Sequence, residues 1–351
     1  ATQQLALATR DDVHLPATDF SLRWRPPSKK EAPQGDITAN HLDFDVLRRL
    51  ASHLPLPETV QAQIVRHAPQ GRLDDLHLNW HGTFEQLDQW SIKGRMQQLS
   101  LRDFGPLAAV TGISGEIAGD QRSGVLRLDA RQSTVELPTV FAEPHIAMDS
   151  FSATAHWKNQ GDGLQVELTQ ASFVNPDVAG KASGTWHAAT GNSSGPGHID
   201  LTGQLTRANG AAVWRYMPLT VGQDARNWLR TGIRGGVASD VKFTLKGDLK
   251  DFPFRSADAS RHRGIFEVRG AFRDATLDYA DGWPAIAGTD GTLLFAGERM
   301  LITASSGKIF SVGLSNVRAE IADLESYEEL LTVTGQVRGP TSTGRALKPA
   351  A

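Results

Sequence analysis

The chain has 351 residues and a formal net charge of −3, with Lys and Arg scattered rather than clustered. That balance argues against nucleic acid as the main partner, because phosphate binding needs a basic excess. Cysteine is absent, which removes disulfides, thiolate metal sites and a thiol nucleophile. No apolar run approaches the ~18–20 residues of a membrane span.

In chain order, residues 1–44 read as strands closing a preceding repeat, with a polar loop at 25–36. Asp45 is placed to cap a short helix with Val46, Leu47, Leu50 and Ala51 on one stripe. After the Leu54-Pro-Leu-Pro57 break, Glu58–His67 forms a second helix, with Pro57 suited to its first turn. A turn at Gly71 leads into alternating residues, Leu76-His-Leu78-Asn-Trp80, that end at Gly82. Similar runs follow at Val125-Leu-Arg-Leu128, Ala153-Thr-Ala155-His-Trp157 and Leu164-Gln-Val166-Glu-Leu168. A second loop rich in Gly and Ser spans 187–198. Alternation resumes at Val241-Lys-Phe243-Thr-Leu245, Ile265-Phe-Glu-Val268, Phe310-Ser-Val312-Gly-Leu314 and Val317-Arg-Ala-Glu-Ile321. Period 2 gives each strand one apolar face, whereas strands covered on both faces read as continuous apolar runs. Turn signals at short intervals, such as Gln160-Gly-Asp-Gly163 and Ala296-Gly-Glu-Arg299, are those of antiparallel hairpins. The fold class is mainly β: a long, strongly curled antiparallel sheet of roughly 20 strands forming an open hydrophobic groove, with short helix pairs linking repeats.

The order of elements is stated twice. Residues 54–82 and 217–247 each run Pro (Pro55, Pro218), amphipathic helix, Gly turn (Gly71, Gly236) and period-2 strand ending in Gly (Gly82, Gly247). The second helix carries Ala225, Trp228 and Leu229 on one stripe, with Gly222 near its start. Downstream, the segment 110–117 (VTGISGEI) lines up with 286–293 (IAGTDGTL). Recurrence means a modular array. Its repeats are 45–209 and 210–337, each beginning with a helix pair, and 338–351 is the start of a truncated third. Val333-Thr-Gly-Gln-Val337 echoes Leu201-Thr-Gly-Gln-Leu205, and the segment reads as part of a longer array.

Reactive constellations are missing. His77 and His81 have the i, i+4 spacing of zinc ligands on a helix, but on a strand they lie about 13 Å apart at ~3.3 Å per residue. Both read as solvated polar-face residues. His145, His156, His187, His198 and His262 share no useful spacing. Gly112-Ile-Ser-Gly115 falls short of a nucleophile elbow, and its counterpart Gly288-Thr-Asp-Gly291 lacks the Ser. Asp43 and Asp45 sit where a helix needs a cap. Asp74, Asp75, Asp248 and Asp251 flank turns. The tryptophans, among them Trp80, Trp90, Trp157 and Trp186, read as packing and strand-end anchors, since no strand carries two spaced by two as a sugar platform would. No enzyme activity, cofactor or metal is expected.

One stretch is specific enough to resemble a known family. Tyr216-Met-Pro-Leu219, Asn227-Trp-Leu229, Gly235-Gly236 and the run Leu245-Lys-Gly-Asp-Leu-Lys-Asp-Phe-Pro-Phe254 are similar to the YhdP group of AsmA-like proteins of Gram-negative bacteria. The first copy departs from the pattern: His53-Leu-Pro-Leu56 fits, but Gly82-Thr-Phe-Glu-Gln-Leu87 lacks the Asp-Phe-Pro-Phe ending. The resemblance implies a periplasmic segment of an inner-membrane-anchored protein that carries phospholipid acyl chains along an apolar β-groove between inner and outer membranes. It implies phospholipids as the partner, both membranes reached through parts outside this segment, and a monomer.

The apolar sides of the alternating strands are the expected lining. They are Leu76, Leu78, Trp80, Leu99, Leu101, Leu126, Leu128, Ala153, Ala155, Leu164, Val166 and Leu168 in the first copy. In the second they are Val241, Phe243, Leu245, Phe266, Val268, Leu293, Phe295, Phe310, Val312 and Leu314. The alternative is a structural or adhesive β-repeat protein that closes its apolar faces in a sandwich and binds a protein or glycan through its loops.

Overall fold

The computed structural model describes residues 1–8, 14–28, 31–50, 58–83, 86–104, 107–159, 161, 163–190, 195–252, 254, 264–279, 282–323 and 331–339. The chain divides into two compact units, one of residues 1–139 and 144–173, the other of 140–143 and 174–351. The Leu54-Pro-Leu-Pro57 break with Pro55, the Pro253 of the family-like run, His262 and all but the first two residues of 338–351 lie outside the described residues.

In the first unit the strands are β1 (Thr2–Ala8), β2 (His14–Arg25), β3 (Gln34–Asp43), β4 (Gln70–Thr83) and β5 (Gln86–Phe104). They continue as β6 (Leu107–Asp120), β7 (Ser123–Glu136), β8 (His145–Asn159) and β9 (Leu164–Val174). Each pairs antiparallel with its neighbour in sequence from β1 to β8. β9 lies beside β8, where Thr169 donates to the Thr154 carbonyl. The second unit repeats this meander with β10 (Val178–His187), β11 (His198–Asn209), β12 (Ile233–Asp248) and β13 (Gly264–Leu277). It ends with β14 (Ile286–Ala296), β15 (Arg299–Ile309), β16 (Val312–Ile321) and β17 (Leu331–Arg338). Its ladders also join consecutive strands. The mainly antiparallel β class is therefore correct, and neither unit closes into a barrel among the described residues.

Between β3 and β4 lie α1 (Phe44–Leu50) and α2 (Glu58–His67), the latter with the limits read from sequence. The cap of α1 is a correction. Asp43 Oδ1, not Asp45, accepts the Val46 N–H at 3.0 Å, so Asp43 fills the N-cap role. Asp45 Oδ2 instead accepts from the Gly71 N–H at 3.1 Å and ties the helix to the start of β4. Between β11 and β12 a 3-10 helix (Gly210–Tyr216) precedes α3 (Gln223–Gly232), with Gly222 at its cap position. Asn209 caps the 3-10 helix by accepting the Ala211 N–H.

Packing is thin. Among the described residues the largest wholly buried side chain is that of Ser133. Among the described residues every strand belongs to a hydrogen-bonded antiparallel sheet, with α1 against β2, β3 and β4, α2 against β5 and α3 against β12.

Candidate functional site

The register fixes which side chains share a face, because directly opposed residues in a ladder project to the same side. In the first unit one row runs Leu22, Ile37, Leu78, Ile92, Gly119, Gly124 and Trp157 from β2 to β8. Beside it, Phe20, Ala39 and Leu76 align on β2–β4, and Gly94, Ile117, Leu126 and Ala155 on β5–β8. A third row holds Met96, Gly115, Leu128 and Ala153. The reverse face carries Arg23, Asp36, Asn79 and Ser91 in one row, and Glu116, Arg127 and Thr154 in another. One side is hydrocarbon and the other is wet.

The second unit has the same division. Ala182, Gly203, Phe243, Val268, Phe295, Met300, Ile321 and Leu331 align from β10 to β17. Gly184, Leu201, Leu245 and Phe266 form a neighbouring row, as do Gly270, Leu293, Ile302, Ala319 and Val333. Behind them lie Lys181, Gln204, Lys242 and Arg269.

Strict alternation does not run the length of a strand. On many strands the apolar side advances by three residues at one point, leaving two exposed residues between. Met96 is followed by Leu99, Ala130 by Ser133, Met148 by Phe151, Leu168 by Ala171, Phe272 by Ala275 and Ala304 by Gly307. Several of these steps carry a residue in the left-handed region: Gln98 (φ 49°), Gln132 (52°) and Asp274 (51°), with Asp75, Asp240 and Asn316 placed alike on β4, β12 and β16. They are bulges, which bend a strand and strengthen its twist. The step keeps Leu99 and Leu101 on the apolar side, opposite Ile113 and Val110.

The expected lining residues fall as follows. Leu76, Leu78, Trp80, Leu126, Leu128, Ala153 and Ala155 occupy one face of the first unit, and Val166 and Leu168 alternate with exposed neighbours on β9. Leu164 lies at the exposed start of that strand. Val241, Phe243, Leu245, Phe266, Val268, Leu293 and Phe295 share the apolar face of the second unit. Val312 and Leu314 join them opposite Ile309 and Gly307. Phe310 does not. It occupies a two-residue turn between Ile309 and Val312, at φ 51° and 66% exposed, because those two residues already close the ladder. Sequence reasoning missed Phe20, Leu22 and Trp24, which alternate as clearly as the others, and Ile37, Ile92, Ile117 and Ile302.

One buried acid sits on β4 between Leu73, which opposes Leu42 and Met96, and Leu76, on the side of its opposed residues His41 and Arg95. Asp74 is 3% exposed and accepts from His41 Nδ1 at 2.7 Å and Gln97 Nε2 at 2.5 Å, while Arg72 Nε stands 3.0 Å away. The carboxylate is thus matched by three donors, as a buried charge must be. His77 belongs to the wet face, opposite Thr38 and Lys93. Among the described residues no group of three or more His, Asp or Glu could hold a metal ion. What the arrangement offers is apolar contact on one side and polar contact on the other.

The family model described as YhdP protein matches residues 1–347. The chain belongs to the YhdP family. A relative from Escherichia coli (strain K12), "Intermembrane phospholipid transporter YhdP", is 24% identical over 357 aligned residues. The alignment covers 97% of this chain and 26% of that protein, so the chain spans about a quarter of its YhdP relative. No solved structure matches. The family-like motifs fall on the 3-10 helix, on α3 and on β12 with the Leu249–Asp251 turn after it. Among the described residues no helix is long and apolar enough to cross a membrane.

Proposed function

We propose that this chain is a stretch of a phospholipid conduit, in the periplasm of a Gram-negative cell, whose apolar sheet face carries acyl chains between the inner and outer membranes. The supporting observation is an apolar face ordered by register across successive strands of each unit. A contiguous apolar face larger than a few hundred Å² marks a binding surface on a monomer. Acyl chains are a fitting cover because they ask for hydrophobic contact and no polar partner. Each CH₂ removed from water contributes about 0.8 kcal/mol. Neighbouring rows of Leu, Ile, Phe and Ala offer nearly equal contact, so a chain moves from row to row with little net change. Transfer along such a face is passive and takes its direction from elsewhere. The E. coli relative's description as an intermembrane phospholipid transporter supports the same reading.

Purified chain extracted with organic solvent should yield phospholipid by mass spectrometry. Leu78→Asp together with Phe243→Asp places a carboxylate on each unit's apolar face, where a charge amid hydrocarbon costs roughly 2.5–3.5 kcal/mol. Bound lipid should then fall at least about tenfold while the protein still accumulates. Unchanged lipid in that variant would sink the conduit reading. Wild-type protein that carries no lipid would favour the adhesive one.

A further inference from the structure

We infer that the conduit holds its lipids in one orientation in the first unit, with the phosphate at a rim of tryptophans and unpaired cations and the acyl chains running from there over the aliphatic rows. This rests on the conduit reading and adds a headgroup subsite to it.

The rim lies at one end of the strands. Trp24 opposes Gly35, Gly35 opposes Trp80, and Trp80 opposes Trp90, so three indoles and one glycine form a single cross-strand row on β2–β5. Trp90 accepts the Gln121 N–H at its carbonyl, and its ring centroid lies 6.2 Å from that of Trp157 on β8. The glycines make this row possible. A Cβ on Gly35 would come within 2.2 Å of the Trp80 ring, and one on Gly124 within 2.1 Å of the Trp157 ring. The indoles therefore lie across neighbouring strands. Trp157 Nε1 donates to the Asp120 carbonyl at 2.9 Å, so its polar edge is at the turn and its ring on the apolar side. Indole is the side chain that favours the boundary between hydrocarbon and polar headgroups.

Charge marks the same end. Arg25 follows Trp24, Lys158 follows Trp157, and Arg122 sits in the turn after Gln121. All three are exposed, and none is in an ion pair among the described residues. Of the nearby acids, Asp36 stands opposite Arg23 and two others are engaged. Asp120 Oδ1 accepts the N–H groups of Arg122 and Ser123, and Asp88 faces His81 at 3.3 Å. At the opposite strand ends Arg66 pairs with Asp103, Arg72 with Asp74, Arg48 with Asp45 and His145 with Glu136, while Arg102 and Arg131 have no ion pair among the described residues. A phosphodiester therefore finds uncommitted cations next to the indole row, and charge-assisted bonds to phosphate are the strong ones. The apolar rows between the two ends are built of Phe, Leu, Ile, Met, Ala and Gly.

The test uses the full 351-residue chain. Wild type and a triple Arg25→Gln, Arg122→Gln, Lys158→Gln variant are loaded from vesicles of phosphatidylglycerol, and separately with diacylglycerol of identical acyl chains. Protein-bound lipid is then measured by mass spectrometry. The triple variant should hold about tenfold less phosphatidylglycerol and keep its diacylglycerol within about twofold. Arg102→Gln, at the other strand ends, should keep both. Phosphatidylglycerol held as in wild type, or an equal loss of both lipids, would overturn the subsite and leave the conduit standing. Wild-type protein that takes up neither lipid would overturn both. An unchanged melting profile for the triple variant shows that any loss is one of contact rather than of fold.

Discussion

Asp240 adopts φ 51° in the middle of a strand, and Asp75 and Asp274 do the same on theirs. A side chain with a Cβ is costly in that region, and short polar residues tolerate it best. The acids at these steps are therefore explained by backbone shape without any chemistry. Asp240→Val should lower stability by about 1–2 kcal/mol, and Asp240→Gly should leave it within a few tenths. Both are readable as shifts in denaturation midpoint. Equal losses in the two variants would mean that the carboxylate, not the dihedral, matters. Asp120 is an acid of another kind. The backbone N–H groups of Ser123 and Arg122 hold its carboxyl below the ordinary value of 3.8. A lowered folded value means the contribution is complete above 3.8, fades as the pH falls from there, and is gone below the folded value. The stability difference between wild type and Asp120→Asn should thus be constant from pH 7 to 5 and shrink only in that acid window. A difference that grew on acidification would refute this account.

At the scale of elements, small residues decide where large ones lie. Gly124→Ala would put a methyl against the Trp157 ring and the Ala118 carbonyl. It should destabilise by about 1–3 kcal/mol, as overpacking does, and shift tryptophan emission as Trp157 is pushed outward. Asp43→Ala should cost about 1 kcal/mol through the lost cap of α1, and Asp45→Ala should not reproduce that loss at the cap. Much of this architecture was legible. Alternation announced the strands, the limits of α2 were readable, and the aligned segments 110–117 and 286–293 place positive-φ glycines alike, at Gly112 and Gly288. Phe310 misled because Phe-Ser carries no Gly, Pro, Asn or Asp, so the alternation reads straight through the hairpin. Asp45 misled because two acids two residues apart suit the same cap. The tryptophan row was hidden for a physical reason. It is made by register between residues far apart in sequence, and half of its fit comes from glycines that no count of apolar residues weighs.

For the whole molecule, an acyl-chain cover on the proposed apolar face would couple folding to lipid occupancy. Each strand contacts chiefly its neighbours in sequence, and the apolar side is open to solvent at Trp24 and Leu22, which are 55% and 50% exposed, while Leu76 and Val241 are buried. A ligand that covers such a face binds the folded chain and not the unfolded one. It then stabilises by about 2.7 kcal/mol at a hundredfold excess over its dissociation constant. For units of this size that corresponds to a rise in Tm of roughly 5–10 °C. Stripping co-purified lipid should lower Tm by that amount, and phospholipid added back from vesicles should restore it. The Leu78→Asp, Phe243→Asp variant should melt near the stripped wild type and respond little to added lipid, because a charge on each unit's face weakens the cover there. Arg127→Asp on the wet face should respond as fully as wild type. A Tm indifferent to lipid in all of these proteins would mean that the apolar face is satisfied by something other than acyl chains.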